Sequence, residues 1–258
     1  FIQFALFRDK NFVGGCVFMS VMGVVLFSTM ALASPFLQNV LGYPIITAGL
    51  LLASRGFGTF VAMMMVGRLM RYIEARTLIV SGLGMTCVSL FWMTAWTDQT
   101  GVNEILIISI FQGFGFGLVF VPLSTVAFLT LPNHLRTDGT SMLTLLRNVG
   151  SSIGISLVIS QLTEGSRWSY AVLSQHINPF NHAMQMPQVR AMIDLGTDKG
   201  RALMDAIVKL QAQVIAFSHD YQMVMIFTLC AIPLTIMIGS SKATLRKQSV
   251  APEHAVIE

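Results

Sequence analysis

The hydrophobic residues of this chain fall into six long runs, which are separated by polar segments containing turn-forming residues. Each run has close to the roughly 20 residues that an α-helix needs to cross about 30 Å of hydrocarbon. No run shows the strict alternation of apolar and polar positions that is typical of membrane β-barrels. The pattern predicts an all-α membrane protein with six spanning helices, at about residues 12–36, 45–70, 77–96, 104–131, 139–162 and 221–239.

The composition supports a membrane protein, because 54% of the residues are hydrophobic and only 11% are charged. A soluble domain usually carries about a quarter charged residues. The net charge of +4 is scattered along the chain, so we expect lipid and not nucleic acid as the surroundings. Since no catalytic triad, metal-ligand or phosphate-loop pattern occurs in a suitable context, the sequence predicts neither an enzyme nor a bound cofactor.

Lysine and arginine alternate between successive connections of the predicted helices. The first and third connections, around residues 38–44 and 97–103, contain none. By the positive-inside rule, the remaining short connections, the N-terminal flank and the tail at residues 240–258 are cytoplasmic. The residues that carry this prediction are Arg8, Lys10, Arg68, Arg71, Arg76, Arg136, Lys242, Arg246 and Lys247.

A long polar stretch, residues 163–220, separates the fifth and sixth runs and is predicted to be external. From about Met186 to Phe217 its apolar residues recur at helical spacing, for example at Leu203, Ile207 and Leu210. This spacing predicts an amphipathic helix outside or along the membrane. The alternative is a solvated loop that packs on the helical bundle.

Small residues cluster in the fourth and fifth runs. Glycine at every second position thins a helix and lets a neighbour approach, and a proline one turn later can kink it. A dinucleotide-binding loop is excluded, because no strand precedes these glycines. We therefore predict helix packing at Gly113, Gly115, Gly117 and Pro122 in the fourth run, and at Gly150 and Gly154 in the fifth.

Two arginines, Arg55 and Arg147, lie within predicted spans, and Asn148 follows the second. A charge that faces lipid costs several kcal/mol, so each arginine is expected to face the bundle interior or a wet cavity. Each could line a cavity, orient a substrate or couple to an acid elsewhere. The alternatives are a structural ion pair or a side chain that reaches the membrane surface. No Asp or Glu is found in mid-span, so a proton carrier is expected outside this chain.

The order of these motifs resembles the C-terminal half of the EmrB/QacA-type drug:proton antiporters, the fourteen-helix branch of the major facilitator superfamily. Residues 53–56 and 66–69 of the second run and residues 178–181 of the polar stretch are similar as well. The series consists of Gly113–Gly117, Pro122-Leu123, Leu131-Pro132, Arg136–Ser141, Arg147–Gly150 and Ser152–Ile155.

The resemblance implies that this six-helix bundle is the C-terminal bundle of a longer transporter, and the chain is expected to begin at a cut. The first, second, fourth and fifth helices would line a central cavity. In the family's cytoplasmic loop motif Gly67, Leu69 and Arg76 fit, whereas Arg71 and Glu74 depart from it. The cavity-lining residues implied are Arg55, Gln112, Phe116, Arg147 and Asn148.

The function implied is secondary active multidrug efflux by proton antiport and alternating access, in the bacterial inner membrane. The partners implied are the N-terminal half of the same transporter, which would hold the proton-coupling acids, lipophilic drug-like substrates and a periplasmic adaptor protein. The alternatives are a carrier for a specific metabolite or organic anion, and a membrane scaffold that transports nothing.

Overall fold

The computed structural model describes residues 9–129, 131–175, 177 and 197–236. In this part of the chain every long element is helical, and six helices are long and apolar enough to cross a membrane. The predicted all-α membrane fold with six such helices is therefore confirmed. The helices are α1 (Lys10–Pro35), α2 (Ile45–Leu69), α3 (Ala75–Thr94), α4 (Val102–Phe128), α5 (Arg136–Gln175) and α6 (Asp198–Ala231).

The helix ends follow from local chemistry. At the start of α1, the Asp9 carboxylate accepts a hydrogen bond of 2.9 Å from the Asn11 N–H, which satisfies one of the free amides of the first turn. A short π-helical turn, Phe36–Val40, continues α1 beyond Pro35. Gly42 then has a φ of 67°, which glycine adopts without steric cost, and the chain turns into α2.

The fifth and sixth helices are longer than their apolar runs. α5 continues past the predicted end at Leu162 to Gln175, and α6 begins at Asp198, well before the predicted start at Tyr221. Hydropathy detects only the part of a helix that lipid surrounds, whereas a helix in water needs only one packed face. At 1.5 Å per residue, the 40 residues of α5 span about 60 Å, roughly twice the hydrocarbon thickness.

The additional turns form a two-helix arm, residues 163–175 of α5 and 198–216 of α6. The Ser218 hydroxyl donates a hydrogen bond of 2.8 Å to the carbonyl of Thr94, the last residue of α3, so the preceding part of α6 extends beyond the end of α3. Within the arm, the Tyr170 hydroxyl donates to Asp205 at 2.5 Å. Predicted features at residues 178–196 and 237–258, including the tail, lie outside the described residues.

The buried face of the arm differs from the predicted apolar face. Leu203 and Ile207 are exposed, whereas Leu210 is half-buried. Met204 and Val208, each one position after an expected residue, are buried instead, so a neighbouring face of α6 packs on α5. The buried residues at this spacing are Met204, Val208, Ala212 and Ala216.

The six helices pack into one bundle. α4 contacts α2, α3 and, to a lesser extent, α1. The second main pair is α1 with α5, and α6 packs on both α5 and α3. One continuous cluster of buried apolar residues links all six helices, so α4 and α1 form the interior while α2 and α5 keep open faces.

Candidate functional site

α5 has an open face that carries several polar residues. In its most apolar stretch only 28% of the residues are buried in the bundle, against 61% for α4. Its packed face contacts α1 through small residues, among them Gly150 and Gly154. The opposite face is a concave open strip of Thr140, Ser141, Thr144, Leu145, Asn148, Val149 and Ser152, which we call the α5 strip.

The hydroxyls of the α5 strip are satisfied within the helix. Thr144 donates to the Thr140 carbonyl at 2.9 Å, and Ser152 donates to the Asn148 carbonyl at 3.1 Å. Such bonds lower the free-energy cost of placing a hydroxyl side chain in a membrane. The exposed Asn148 amide is the most polar group of the strip, about 18 Å from the beginning of α5.

Arg147 lies at the edge of the α5 strip. Its side chain is half-buried, and its guanidinium carbon lies 5.9 Å from the ring centroid of Phe120 on α4. This geometry is a cation–π contact between the two helices. Its Nε is buried and has no hydrogen-bond partner among the described residues. Arg147 therefore stands between the open face and the interior.

The structure does not bring the other predicted cavity residues to this face. Arg55, Gln112 and Phe116 are at most 5% exposed and lie inside the bundle. Gln112 donates a long hydrogen bond of 3.8 Å to the Met93 sulfur of α3, and its Oε1 has no partner among the described residues. The five predicted residues thus form an open pair, Arg147 and Asn148, and an interior group.

The glycines of α4 lie at close helix contacts. A Cβ on Gly113 would overlap the carbonyl oxygen of Arg55, and one on Gly117 would lie 2.5 Å from the Ala62 Cβ, both on α2. On the other side, a Cβ on Gly115 would lie 2.9 Å from the Gly82 carbonyl oxygen of α3. Pro122 is buried, and α4 continues through it to Phe128. Both contacts of α4 thus occur at positions without a side chain.

The two glycines of α5 lie against α1. A Cβ on Gly150 would overlap the Ser20 carbonyl oxygen, and one on Gly154 would lie 2.6 Å from the Ser28 hydroxyl.

The predicted loop motif lies at the connection between α2 and α3. A Cβ on Gly67 would meet no atom within 4 Å. Leu69 packs on a small apolar cluster of Val66, Leu78 and Leu118. Arg76 is half-buried in the first turn of α3.

One acid is buried in the bundle. Asp220, which the sequence places in the external stretch, is 4% exposed within α6, and the adjoining Tyr221 is fully buried. It lies two residues after Ser218, which bonds to the last residue of α3, so it lies near that end of the bundle and the expectation that no Asp or Glu lies in mid-span stays a prediction. The helical spacing of apolar residues before Phe217 continues in register into the sixth run, and that continuity was the available signal.

The described residues contain no group of three His, Cys, Asp or Glu side chains that could hold a metal ion. The predicted cavity residues are divided between the α5 strip with Arg147 and the interior group around Arg55. Neither arrangement pairs a nucleophile with a base.

Comparison with curated proteins identifies related drug exporters. The chain is 28% identical over 193 residues to the Multidrug export protein EmrB of Escherichia coli K12, covering 74% of this chain and 36% of that protein. It is 27% identical over 174 residues to the Lincomycin resistance protein LmrB of Listeria monocytogenes, covering 67% and 37%. The chain thus spans well under half the length of these two relatives.

A third relative matches nearly the whole length of the chain. The uncharacterized MFS-type transporter YhcA of Bacillus subtilis is 26% identical over 258 residues, which cover 96% of this chain and 48% of that protein. Here too the chain spans only about half of its relative.

A solved structure shares the fold. It is a bacterial homolog of the human lysosomal transporter Spinster in an inward-facing, unoccupied conformation, with a TM-score of 0.63 and 14% identity. The match covers 92% of this chain and 50% of that chain.

The sequence profile described as Major Facilitator Superfamily matches residues 2–172, which include α1 to α4 and most of α5. The resemblance to EmrB-type exporters is thereby confirmed, and this multi-pass membrane chain belongs to the Major Facilitator Superfamily.

Proposed function

We propose that this chain is the C-terminal half of a transporter that exports lipophilic or amphiphilic compounds in exchange for protons. The α5 strip forms one wall of the transport pathway, and alternating access exposes it to either side of the membrane. The observation that carries this proposal is the exposed Asn148 beside the half-buried Arg147, deep along a membrane-length helix. An amide and a guanidinium at this depth favour a water-filled cavity over lipid.

The chemistry of the strip suits amphiphilic substrates. Leu145 and Val149 present apolar surface between the hydroxyls and the Asn148 amide. Binding sites for small molecules commonly combine such apolar walls with a few polar groups. The names of the relatives support the same class, because they describe multidrug export and lincomycin resistance.

The remaining parts of the proposal concern orientation and partners. The alternation of basic connections supports cytoplasmic termini in the bacterial inner membrane. The open faces of α2 and α5 suit packing against the N-terminal half of the same transporter. The two-helix arm would then be external, where it is a candidate contact for a periplasmic adaptor protein.

The test is transport by the complete protein in proteoliposomes, with and without an imposed pH gradient. A lipophilic cation and an organic acid serve as alternative substrates, and Asn148→Leu is compared with Leu157→Ala, an exposed position of α5 outside the strip. We expect gradient-driven export that falls about tenfold in Asn148→Leu and stays within about twofold in the control. An export rate that changes neither with the pH gradient nor with Asn148→Leu would contradict the proposal. Export of the organic acid alone would favour an anion carrier.

A further inference from the structure

A groove lies where the two-helix arm meets the end of α1. It has a volume of about 340 Å³ and is formed by α5, α6 and the end of α1 with its π-helical turn. Cavities of this size are typical of sites for small molecules. Its α5 residues lie within 162–167, beyond the α5 strip, and no residue lines both features. The groove is therefore separate from the proposed transport pathway.

One part of the groove is apolar. It is lined by Pro35 of α1, Leu162 of α5 and Phe217 of α6. Phe217 is buried, and its ring meets that of Phe36, the residue after Pro35, edge-on at 5.3 Å between centroids. This aromatic contact holds α6 to the end of α1. The apolar part is therefore built by fixed packing and can contact the hydrocarbon portion of a ligand.

The other side chains that line the groove are polar. Thr163, Ser166 and Arg167 lie on one face of α5, because the second and third follow the first by three and four positions. Asn39 lines the groove from the π-helical turn, and Gln213 lines it from α6. Hydroxyl, amide and guanidinium groups can all donate hydrogen bonds. The polar part therefore suits a ligand with several acceptor oxygens.

Arg167 gives the groove a positive charge, since the other residues that line it are neutral. Its side chain is exposed, and so is the nearby Glu164, which does not line the groove. The two ion pairs among the described residues join Arg201 with Asp198 and Lys209 with Asp205, so neither includes Arg167. The guanidinium is therefore available to an anionic ligand.

The position of the groove along α5 matches the level of lipid headgroups. Leu162 ends the fifth apolar run, and Arg167 follows it by five residues, or about 7 Å of helix. Headgroups add about 5–7 Å on each side of the hydrocarbon. Trp168 and Trp92, the latter in the last turn of α3, are both exposed. Exposed tryptophans are typical of this boundary between lipid and water.

We propose that this groove binds the phosphate-bearing headgroup of a membrane lipid. Arg167 contacts the phosphate, because a guanidinium fork matches two phosphate oxygens. Asn39 and Gln213 donate to the remaining headgroup oxygens, while Leu162 and Phe217 contact the first methylenes of the acyl chains. The bound lipid fills the gap between α1 and the arm and ties the base of the arm to the membrane surface. This site needs only the membrane bundle and does not depend on the function proposed above.

Binding of a short-chain lipid to the complete protein tests the site. The protein is purified in a neutral detergent and titrated calorimetrically with dihexanoyl phosphatidylglycerol. Dihexanoylglycerol, which lacks the phosphate, and inorganic phosphate, which lacks the chains, are titrated separately. Arg167→Gln removes the charge, and Arg167→Lys keeps the charge without the planar fork. Arg201→Gln is the matched control, because it removes an exposed arginine of the same arm that lies outside the groove and 3.2 Å from Asp198.

We expect the unaltered protein to bind the short-chain phospholipid and Arg167→Gln to raise its Kd about tenfold, because the charged hydrogen bonds to phosphate are lost. Arg167→Lys should raise the Kd about threefold. Arg201→Gln should stay within about twofold of the unaltered protein. Dihexanoylglycerol and inorganic phosphate should each bind at least about tenfold more weakly than the phospholipid. Both Arg167 variants keep a polar side chain at an exposed position, so we expect them to fold.

Three results would overturn the lipid site. The first is no binding of the phospholipid, and the second is an equal Kd for the unaltered protein and Arg167→Gln. The third is inorganic phosphate or dihexanoylglycerol binding as tightly as the phospholipid, because the groove would then select a free anion or an apolar chain. The titration needs no transport, so a protein that exported nothing would still give a decisive result for the groove.

Discussion

Helices α4 and α5 share some sequence features but occupy different positions in the bundle. Both have an apolar stretch of membrane length, both contain several glycines, and each includes an amide side chain within that part of the chain, Gln112 in α4 and Asn148 in α5. In the structure α4 has helices on both sides and Gln112 is fully buried, while α5 packs on one side and Asn148 is exposed. The comparison teaches that a polar residue in a spanning helix indicates a pathway only after its face is known.

The largest effect is expected where α4 meets α2. Gly113→Val would place side-chain atoms on the Arg55 carbonyl oxygen, since even a Cβ overlaps it. We expect a loss of about 3 kcal/mol or more of stability, because neither backbone can move without separating the helices. Thermal unfolding in detergent measures this. The control is Gly84→Val on α3, where a Cβ meets nothing within 4 Å, and equal loss at both positions would contradict the packing explanation.

Cysteine labelling compares the two helices directly. Ser109→Cys in α4 and Thr144→Cys in α5 replace polar residues that are fully buried and exposed, respectively. We expect a water-soluble thiol reagent to modify position 144 at least about tenfold faster, because thiol reactivity needs access. The background is Cys230→Ser, since Cys230 is the exposed cysteine among the described residues. Equal rates would place α4 on the pathway as well.

Substitution of Arg147 tests the contact between α4 and α5 at the edge of the α5 strip. Arg147→Gln removes the charge and its contact with Phe120 while keeping a polar side chain at the edge of the strip. We expect efflux to fall about fivefold with little change in the thermal midpoint, because a cation–π contact at a partly exposed site contributes only about 1 kcal/mol. A large thermal change with normal efflux per folded molecule would instead assign Arg147 to structure.

The smallest effect is expected within the α5 strip itself. Thr144→Val removes a hydroxyl that already donates to the Thr140 carbonyl, so little polarity is lost from the pathway. We expect efflux to stay within about twofold of the unaltered protein. A drop as large as that expected for Asn148→Leu would show that the Thr144 hydroxyl, too, contacts the substrate.

The sequence predicted much of the fold and less of the candidate site. Six runs of membrane length were sufficient for an all-α membrane bundle, because a spanning segment must satisfy its backbone internally. The same hydropathy pattern predicts that α5 ends at Leu162 and that α6 begins at Tyr221. Both predicted helices are too short, because hydropathy does not detect the part of a helix that continues into water. For this reason the sequence places Asp220 in a polar stretch outside the spans, although it is buried within α6.

The number of spanning helices, their order and the superfamily resemblance follow from the sequence, because hydrophobic length and motif order are properties of consecutive residues. The exposure of Asn148 and the burial of Arg55, Gln112 and Asp220 became visible in the folded bundle. These facts depend on how each helix is rotated against neighbours far away in the chain. That rotation is set by packing such as the contact of Gly113 with Arg55.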